Sequence, residues 1–161
     1  FGSKVVSKDL GILWNNAMIW FNPKPGNKNS IAPYKRPLVN MGPIIACKNG
    51  QPYASIGSPG GRKIHNANTN LALNILEFGM GPQEAISTSR SDASGDTTLL
   101  DYRIDENVIF KLNKMGHKIH MIDDAESWYS FARPSAIVIN QKTKTIYGGS
   151  DSFPVAEAKG Y

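Results

Sequence analysis

Apolar positions along this chain fall into short alternating runs, broken by glycine, proline and asparagine, with two longer stretches of helical period. Val5–Val6 and Gly11–Asn15 read as short strands around a Lys8-Asp9 turn. Residues 22–37 hold four prolines and show neither period, which predicts a long ordered loop of the kind that often carries function. Met41–Cys47 and Pro52–Ile56 flank Asn49-Gly50, a strong two-residue hairpin signal, so these strands are expected to pair antiparallel. Beyond Gly57-Ser58-Pro59-Gly60-Gly61 a helix is expected. Ala67, Leu71, Ile75 and Phe78 share one face, Leu73 and Leu76 widen it, and Gly79 ends it.

Pro82 suits the first turn of a second, short helix through about Ser87, followed by a polar irregular stretch to Thr98. Leu99–Ile104 reads as a strand. Asp105 can cap a third helix in which Val108, Ile109, Leu112 and Met115 point inward and which Gly116 stops. Lys118–Ile122, Ala136–Asn140 and Thr145–Gly148 read as strands, the last two joined by a turn at 141–144. The sum is an α+β protein with largely antiparallel sheets and helices layered on them. A dinucleotide fold would lead from the glycine-rich turn through a helix to a parallel strand. Here the strand before the glycines pairs antiparallel with its predecessor.

With 161 residues and 40% hydrophobic content the chain suffices for one domain with a real core. No run approaches the roughly 20 apolar residues of a membrane span. One cysteine excludes an internal disulfide. Residues 1–48 carry a net charge of +6 and the remainder −1, so the basic excess lies in the first third. Its lysines are dispersed, and no aromatic residues interleave with them in an RNP or OB pattern, which argues against nucleic-acid binding and for a solvated face or a site for acidic substrates.

Among candidate chemistry the Gly57–Gly61 loop stands out. Adjacent glycines between a strand and a helix start let main-chain N–H groups approach a phosphate, a carboxylate or a developing oxyanion, although a tight turn alone also uses them. His117 and His120, three apart around a strand, point to opposite faces and do not make a shared metal site. His65 reads as a helix-start surface histidine. Asp123, Asp124 and Glu126 read as a solvated acidic turn, and Cys47 as a buried small hydrophobe.

Several segments, taken in order, carry a family likeness: Gly11-Ile12-Leu13-Trp14-Asn15-Asn16, Lys35-Arg36-Pro37-Leu38, Gly57-Ser58-Pro59-Gly60-Gly61, Phe78-Gly79-Met80 with Glu84-Ala85, Tyr147-Gly148-Gly149-Ser150-Asp151 and Gly160-Tyr161. Along residues 1–161 the chain resembles the small subunit of the γ-glutamyltransferases (glutathione hydrolases). The resemblance implies an N-terminal-nucleophile hydrolase, built as a four-layer αββα sandwich. It also implies a large subunit of the same precursor as partner, a threonyl-ester route of acyl transfer to water or an amino acid, and no cofactor or metal. Gly60 and Gly61 match the glycines whose N–H groups face the oxyanion. Val39 and Asn40 stand where the family usually has two serines at the substrate carboxylate, and Asn40 keeps a donor there. Ala17 and Trp20 stand where γ-glutamyl-specific members carry a glutamine and an aspartate for the substrate's α-amino group. Ala17, Trp20 and Val39 are thus expected to form the wall of the acyl pocket, Trp20 offering only its ring face to an ammonium.

The family's threonine nucleophile lies upstream of the segment matching Phe1, so the resemblance implies one domain, 1–161, lacking its nucleophile segment. A glutaryl or cephalosporin acylase of the same fold, a non-enzymatic scaffold that has lost the nucleophile, and a phosphate-binding domain are the alternatives. The resemblance favours a periplasmic or extracellular location, and the sequence itself fixes none.

Overall fold

The computed structural model describes residues 2–124, 130–152 and 156–160. These divide into two compact units, residues 1–39 and 40–161.

In the first unit the two expected strands reduce to one antiparallel bridge, Val6 with Leu13. Main-chain bonds from Ser3 N to Trp14 O (2.9 Å), Trp14 N to Val5 O (3.0 Å) and Ser7 N to Ile12 O (2.9 Å) close it. Asn15 Oδ1 accepts from Ala17 N at 2.8 Å and opens a 3-10 turn, Ala17–Trp20. The proline-rich loop is ordered by polar side chains. Asn29 donates from Nδ2 to Trp20 O (2.6 Å) and accepts at Oδ1 from Leu38 N (3.0 Å). The buried Ser30 donates to Lys24 O at 2.5 Å and accepts from Asn27 N at 2.8 Å. A loop without secondary structure satisfies its backbone in this way.

The second unit holds two sheets. Strands β1 (Ile44–Lys48), β2 (Gln51–Gly57), β6 (Ser135–Ile139) and β7 (Ile146–Ser150) form one in the order β1-β2-β6-β7, antiparallel throughout. The β1–β2 hairpin turns at Asn49 and Gly50, with φ of 53° and 74°, as a type I′ turn requires. Helices α1 (Ile64–Leu76) and α2 (Pro82–Ser87) pack on one face of this sheet. Ala54, Ile56 and Ala136 from the strands meet Leu71, Ile75, Ala85 and Ile86 from the helices, and this is the core. Burying each Ile or Leu stabilises the fold by about 1.5–3 kcal/mol. Gly149 lets α2 approach, because a Cβ there would lie 2.6 Å from Gln83 N. Gln83 in turn exchanges two 3.1 Å hydrogen bonds with the backbone of Ser150, covering part of the free edge of β7.

The second sheet, in the order β3-β4-β5, comprises β3 (Ser91–Asp92), β4 (Thr98–Asp101) and β5 (Ile119–Ile122). β3 and β4 are antiparallel, whereas β4 and β5 run parallel, joined through α3 (Glu106–Lys114). Parallel neighbours need such a crossover. Asp105 caps α3 as expected, its carboxylate accepting from Asn107 N at 2.8 Å.

Three expectations about packing are corrected. Phe78 lies beyond the end of α1 and is 69% exposed, so the buried stripe is Ile64, Ala67, Leu71 and Ile75. Val108 and Met115 of α3 are exposed, and only Ile109 and Leu112 are half-buried. Cys47 is exposed: along β1 Ile44 and Ala46 turn to the core while Ile45 and Cys47 alternate to the opposite face.

Candidate active site

Strand β2 ends at Gly57, and Ser58-Pro59-Gly60 lead into a 3-10 turn, Gly61–Lys63, that runs on as α1. Gly60 and Gly61 both adopt positive φ, 152° and 61°. Only glycine enters that region without strain.

The carbonyls of Pro59, Gly60 and Gly61 are all engaged. Arg133 N donates to Pro59 O at 2.9 Å, and Lys63 N to Gly60 O at 3.2 Å. Gly61 O accepts from Ile64 N and from the side-chain amide of Asn40. No acceptor among the described residues takes the N–H of Gly60 or of Gly61. Two adjacent donors, at the positive end of a helix and with their carbonyls tied back, have the chemistry to attract negative charge.

The surroundings hold the loop stiffly. Ser58 Oγ donates to Asn68 Oδ1 (2.8 Å), and Asn68 Nδ2 donates to Gly42 O (2.6 Å). Asn68 is 1% exposed, so this polar side chain is kept in the core by the two segments it joins. On the other side, Lys63 Nζ donates to Ser130 O at 2.6 Å. Ala132 lies against the α-carbon of Gly60.

Beside this wall sits an ion network. Arg90 contacts Asp124 at 2.5 Å and Asp151 at 2.8 Å, and Arg133 reaches Asp124 at 2.9 Å. All four side chains are largely buried, which corrects the reading of Asp124 as part of a solvated turn. Glu126 lies outside the described residues. A second pair joins Arg103 to Asp101. Burial raises the pKa of Asp101, but hydrogen bonds from Arg103 outweigh it and hold the carboxyl below its ordinary value. No sequence signal marked Arg90, Arg133 or Asp151 as partners, since they come from distant segments.

Of the residues singled out in the sequence, Gly60, Gly61 and Asn40 come together. Asn40 is buried, and one of its amide hydrogens is already given to Gly61. Ala17, Trp20 and Val39 lie in the first unit, where Asn29 ties the main chain of Trp20 to that of Leu38. Asn29 was not singled out, although an asparagine inside a proline-rich loop is a reasonable signal for such a tie. His65 is exposed and faces Gly42. No group of three or more metal-ligating side chains occurs among the described residues. The larger of the two described clefts, about 970 Å³, lies on the sheet face away from the helices, along Ser55, Gly57, Ile137 and Ile146. It does not include Gly60 or Gly61.

A family model described as gamma-glutamyltranspeptidase matches residues 1–161. The chain belongs to the gamma-glutamyltranspeptidase family. It is 31% identical over 156 residues to a glutathione hydrolase proenzyme of Bacillus subtilis, which covers 94% of this chain and 25% of that relative. It is 34% identical over 119 residues to an acylase ACY 1 proenzyme of Pseudomonas sp., covering 74% of this chain and 21% of the relative. This gamma-glutamyltranspeptidase-family chain thus spans about a quarter or less of those relatives' length. Among solved structures it is similar to a threonine-to-alanine mutant of the gamma-glutamyltranspeptidase of Helicobacter pylori. That likeness has a TM-score of 0.78 and 30% identity over 94% of this chain and 86% of the other. The fold is accordingly that of the N-terminal-nucleophile hydrolases, α+β as the sequence implied.

Proposed function

We propose that the Gly60 and Gly61 N–H groups form the oxyanion site of an amidohydrolase and acyltransferase of the γ-glutamyltransferase type. The observation that carries this reading is the pair of adjacent donors with no acceptor among the described residues, beside Pro59, Gly60 and Gly61 carbonyls that are tied back. The attacking hydroxyl is assigned to a threonine of the parent protein outside residues 1–161, with its own α-amine as base. Attack on the acyl carbonyl places negative charge on its oxygen, opposite the two amides. Collapse expels the amine, which takes the proton from the base, and leaves a threonyl ester. Water or an amino acid then attacks the ester carbonyl, the oxyanion forms again, and the threonine hydroxyl is released. One well-placed donor is worth about 10²–10³ in turnover. A carbonyl turns toward its donors only as it becomes an alkoxide, so the gain falls in the transition state.

The partner is the large subunit of the same precursor. The sheet face away from α1 and α2 supports this, since Ile45 there is 73% exposed and Ile137 45%. A second layer on that face completes an αββα sandwich.

Ala17 and Trp20 support a second reading, an acylase whose acyl group lacks the α-amine. Neither side chain pairs an ammonium as a carboxylate does, and an unpaired buried polar group costs about 1–3 kcal/mol. Kinetics of the processed full-length protein on γ-glutamyl-p-nitroanilide and glutaryl-p-nitroanilide separate the two. Cleavage of the glutaryl compound alone removes the glutathione reading, and cleavage of neither removes both.

A further inference from the structure

The ion network beside the glycine loop has a direct main-chain connection to Gly60. Arg90 Nη1 donates to Ala132 O at 2.6 Å in a buried contact. The peptide bearing that carbonyl also bears the N–H of Arg133, which donates to Pro59 O at 2.9 Å. The Pro59 carbonyl, in its turn, belongs to the peptide that carries the N–H of Gly60. Each peptide is planar and trans, so its C=O and N–H point in opposite directions. Holding the carbonyl end of such a unit therefore aims its N–H end. Two peptides in series lead from a guanidinium to the Gly60 donor.

We infer that Arg90 is a positioning residue for the oxyanion site, acting through the 132–133 and 59–60 peptides to orient and polarise the Gly60 N–H. The inference rests on the oxyanion reading of Gly60 given above.

Two features support it. The Arg90 side chain is only 9% exposed and is held by Asp124 and Asp151, with the Phe131 ring 5.8 Å away. The cation is thus fixed where water screens it little. Each hydrogen bond in a chain strengthens the next by about 10–30%, and a charged donor starts this one. The packing of Ala132 on Gly60 keeps the two peptides in register, since any Cβ on Gly60 would meet Ala132 Cα at 2.7 Å.

The test uses the processed full-length protein with Arg90→Lys, Arg90→Gln and Arg90→Met, and with Gly60→Ala as reference. It reads kcat, KM, the affinity of an acyl boronate and the affinity of the free acid product. The boronate takes the nucleophile's hydroxyl and sets a B–O⁻ where the oxyanion forms. Expected is a graded fall in kcat, from a few-fold for Lys to about 10²-fold for Met, the upper end being loss of a whole donor. Boronate affinity should fall in step, while KM and acid affinity stay within about twofold. If the arginine variants do not accumulate folded, Ala132→Gly loosens the same peptide and leaves every charge in place. The same parallel fall is expected of it. Unchanged kcat and boronate affinity, or a change confined to KM and acid affinity, overturns the role of Arg90 while Gly60→Ala remains impaired. If Gly60→Ala itself turns over normally, the oxyanion reading falls, and the relay with it.

Discussion

Ala132 stands directly against Gly60, whereas the neighbouring Gly61 faces open space: a Cβ built there meets nothing within 4 Å. Both residues have positive φ, so the difference between them is steric. This separates two glycines that look alike in sequence. Gly60→Val must displace the 130–133 segment and swing the amide away. Turnover of the processed enzyme is expected to fall by about 10² or more. Gly61→Ala has room and carries only the left-handed backbone cost of about 1–2 kcal/mol. Stopped and steady-state assays of both variants should rank Gly61→Ala well above Gly60→Val, and equal loss in the two would remove the steric account.

Asn40 is tied to the same loop from the other side. It donates to Gly61 O, while its own Oδ1 is buried without a hydrogen-bond partner among the described residues. Asn40→Ala deletes that bond, at an expected cost of about 1–3 kcal/mol. Asn40→Asp puts carboxylate oxygens against a carbonyl oxygen in a buried place and should cost more. Urea unfolding of the two variants checks the order. An aspartate as well tolerated as alanine would mean that the amide does not hold the loop.

The legible part of this fold was its local chemistry. Asn49-Gly50 fixed the first hairpin, Asp105 the start of α3, and Gly79 and Gly116 two helix ends, because each rests on one or two residues. The glycine loop was legible for the same reason, and Asn40 through its place after Lys35-Arg36-Pro37-Leu38. What escaped depends on residues far apart in the chain. The parallel pairing of β4 with β5 follows from a crossover through α3, which periodicity does not reveal. Arg90, Asp124, Arg133 and Asp151 meet from separate segments, and in sequence each is an ordinary surface charge. Cys47 shares the outward face of β1 with Ile45, and an unbroken apolar run from Ile44 to Cys47 does not tell which of its two faces the core covers.

Asp101 offers a pH test of stability independent of the glycine loop. Its side chain is fully buried, and Arg103 donates to it from Nε at 2.9 Å and from Nη2 at 2.5 Å. Against the opposing effect of burial, hydrogen bonds from Arg103 hold its folded pKa below the ordinary carboxylate value. The contribution is therefore fully present above about pH 4, the unfolded value, and is lost as the pH falls through the lower, folded one. Comparing urea unfolding of the protein and of Asp101→Asn at pH 7 and near pH 3 should show the gap between them narrowing in acid. A gap that stays constant would mean that another group sets the acid limb.

The proposed acyl pocket gives the prediction that decides between substrate classes. Ala17 and Trp20 bracket one 3-10 turn, and Asn29 fastens the end of that turn to the chain leading into Val39. A substitution in the turn thus acts on a segment with a fixed frame. Trp20→Asp with Ala17→Gln supplies a carboxylate and an amide for the α-ammonium of a γ-glutamyl group, at the positions that the family resemblance assigns to that contact. A hydrogen bond to a charged group is worth about 1.5–3 kcal/mol, and each 1.4 kcal/mol is tenfold in affinity. The ratio of kcat/KM for γ-glutamyl over glutaryl p-nitroanilide should therefore rise by about tenfold or more in the double variant. The frame has its own control: Asn29→Ala releases the tie without adding charge, and should weaken both substrates alike. A double variant with an unchanged ratio would mean that other side chains line the acyl group and that the glutaryl preference, where found, has another source.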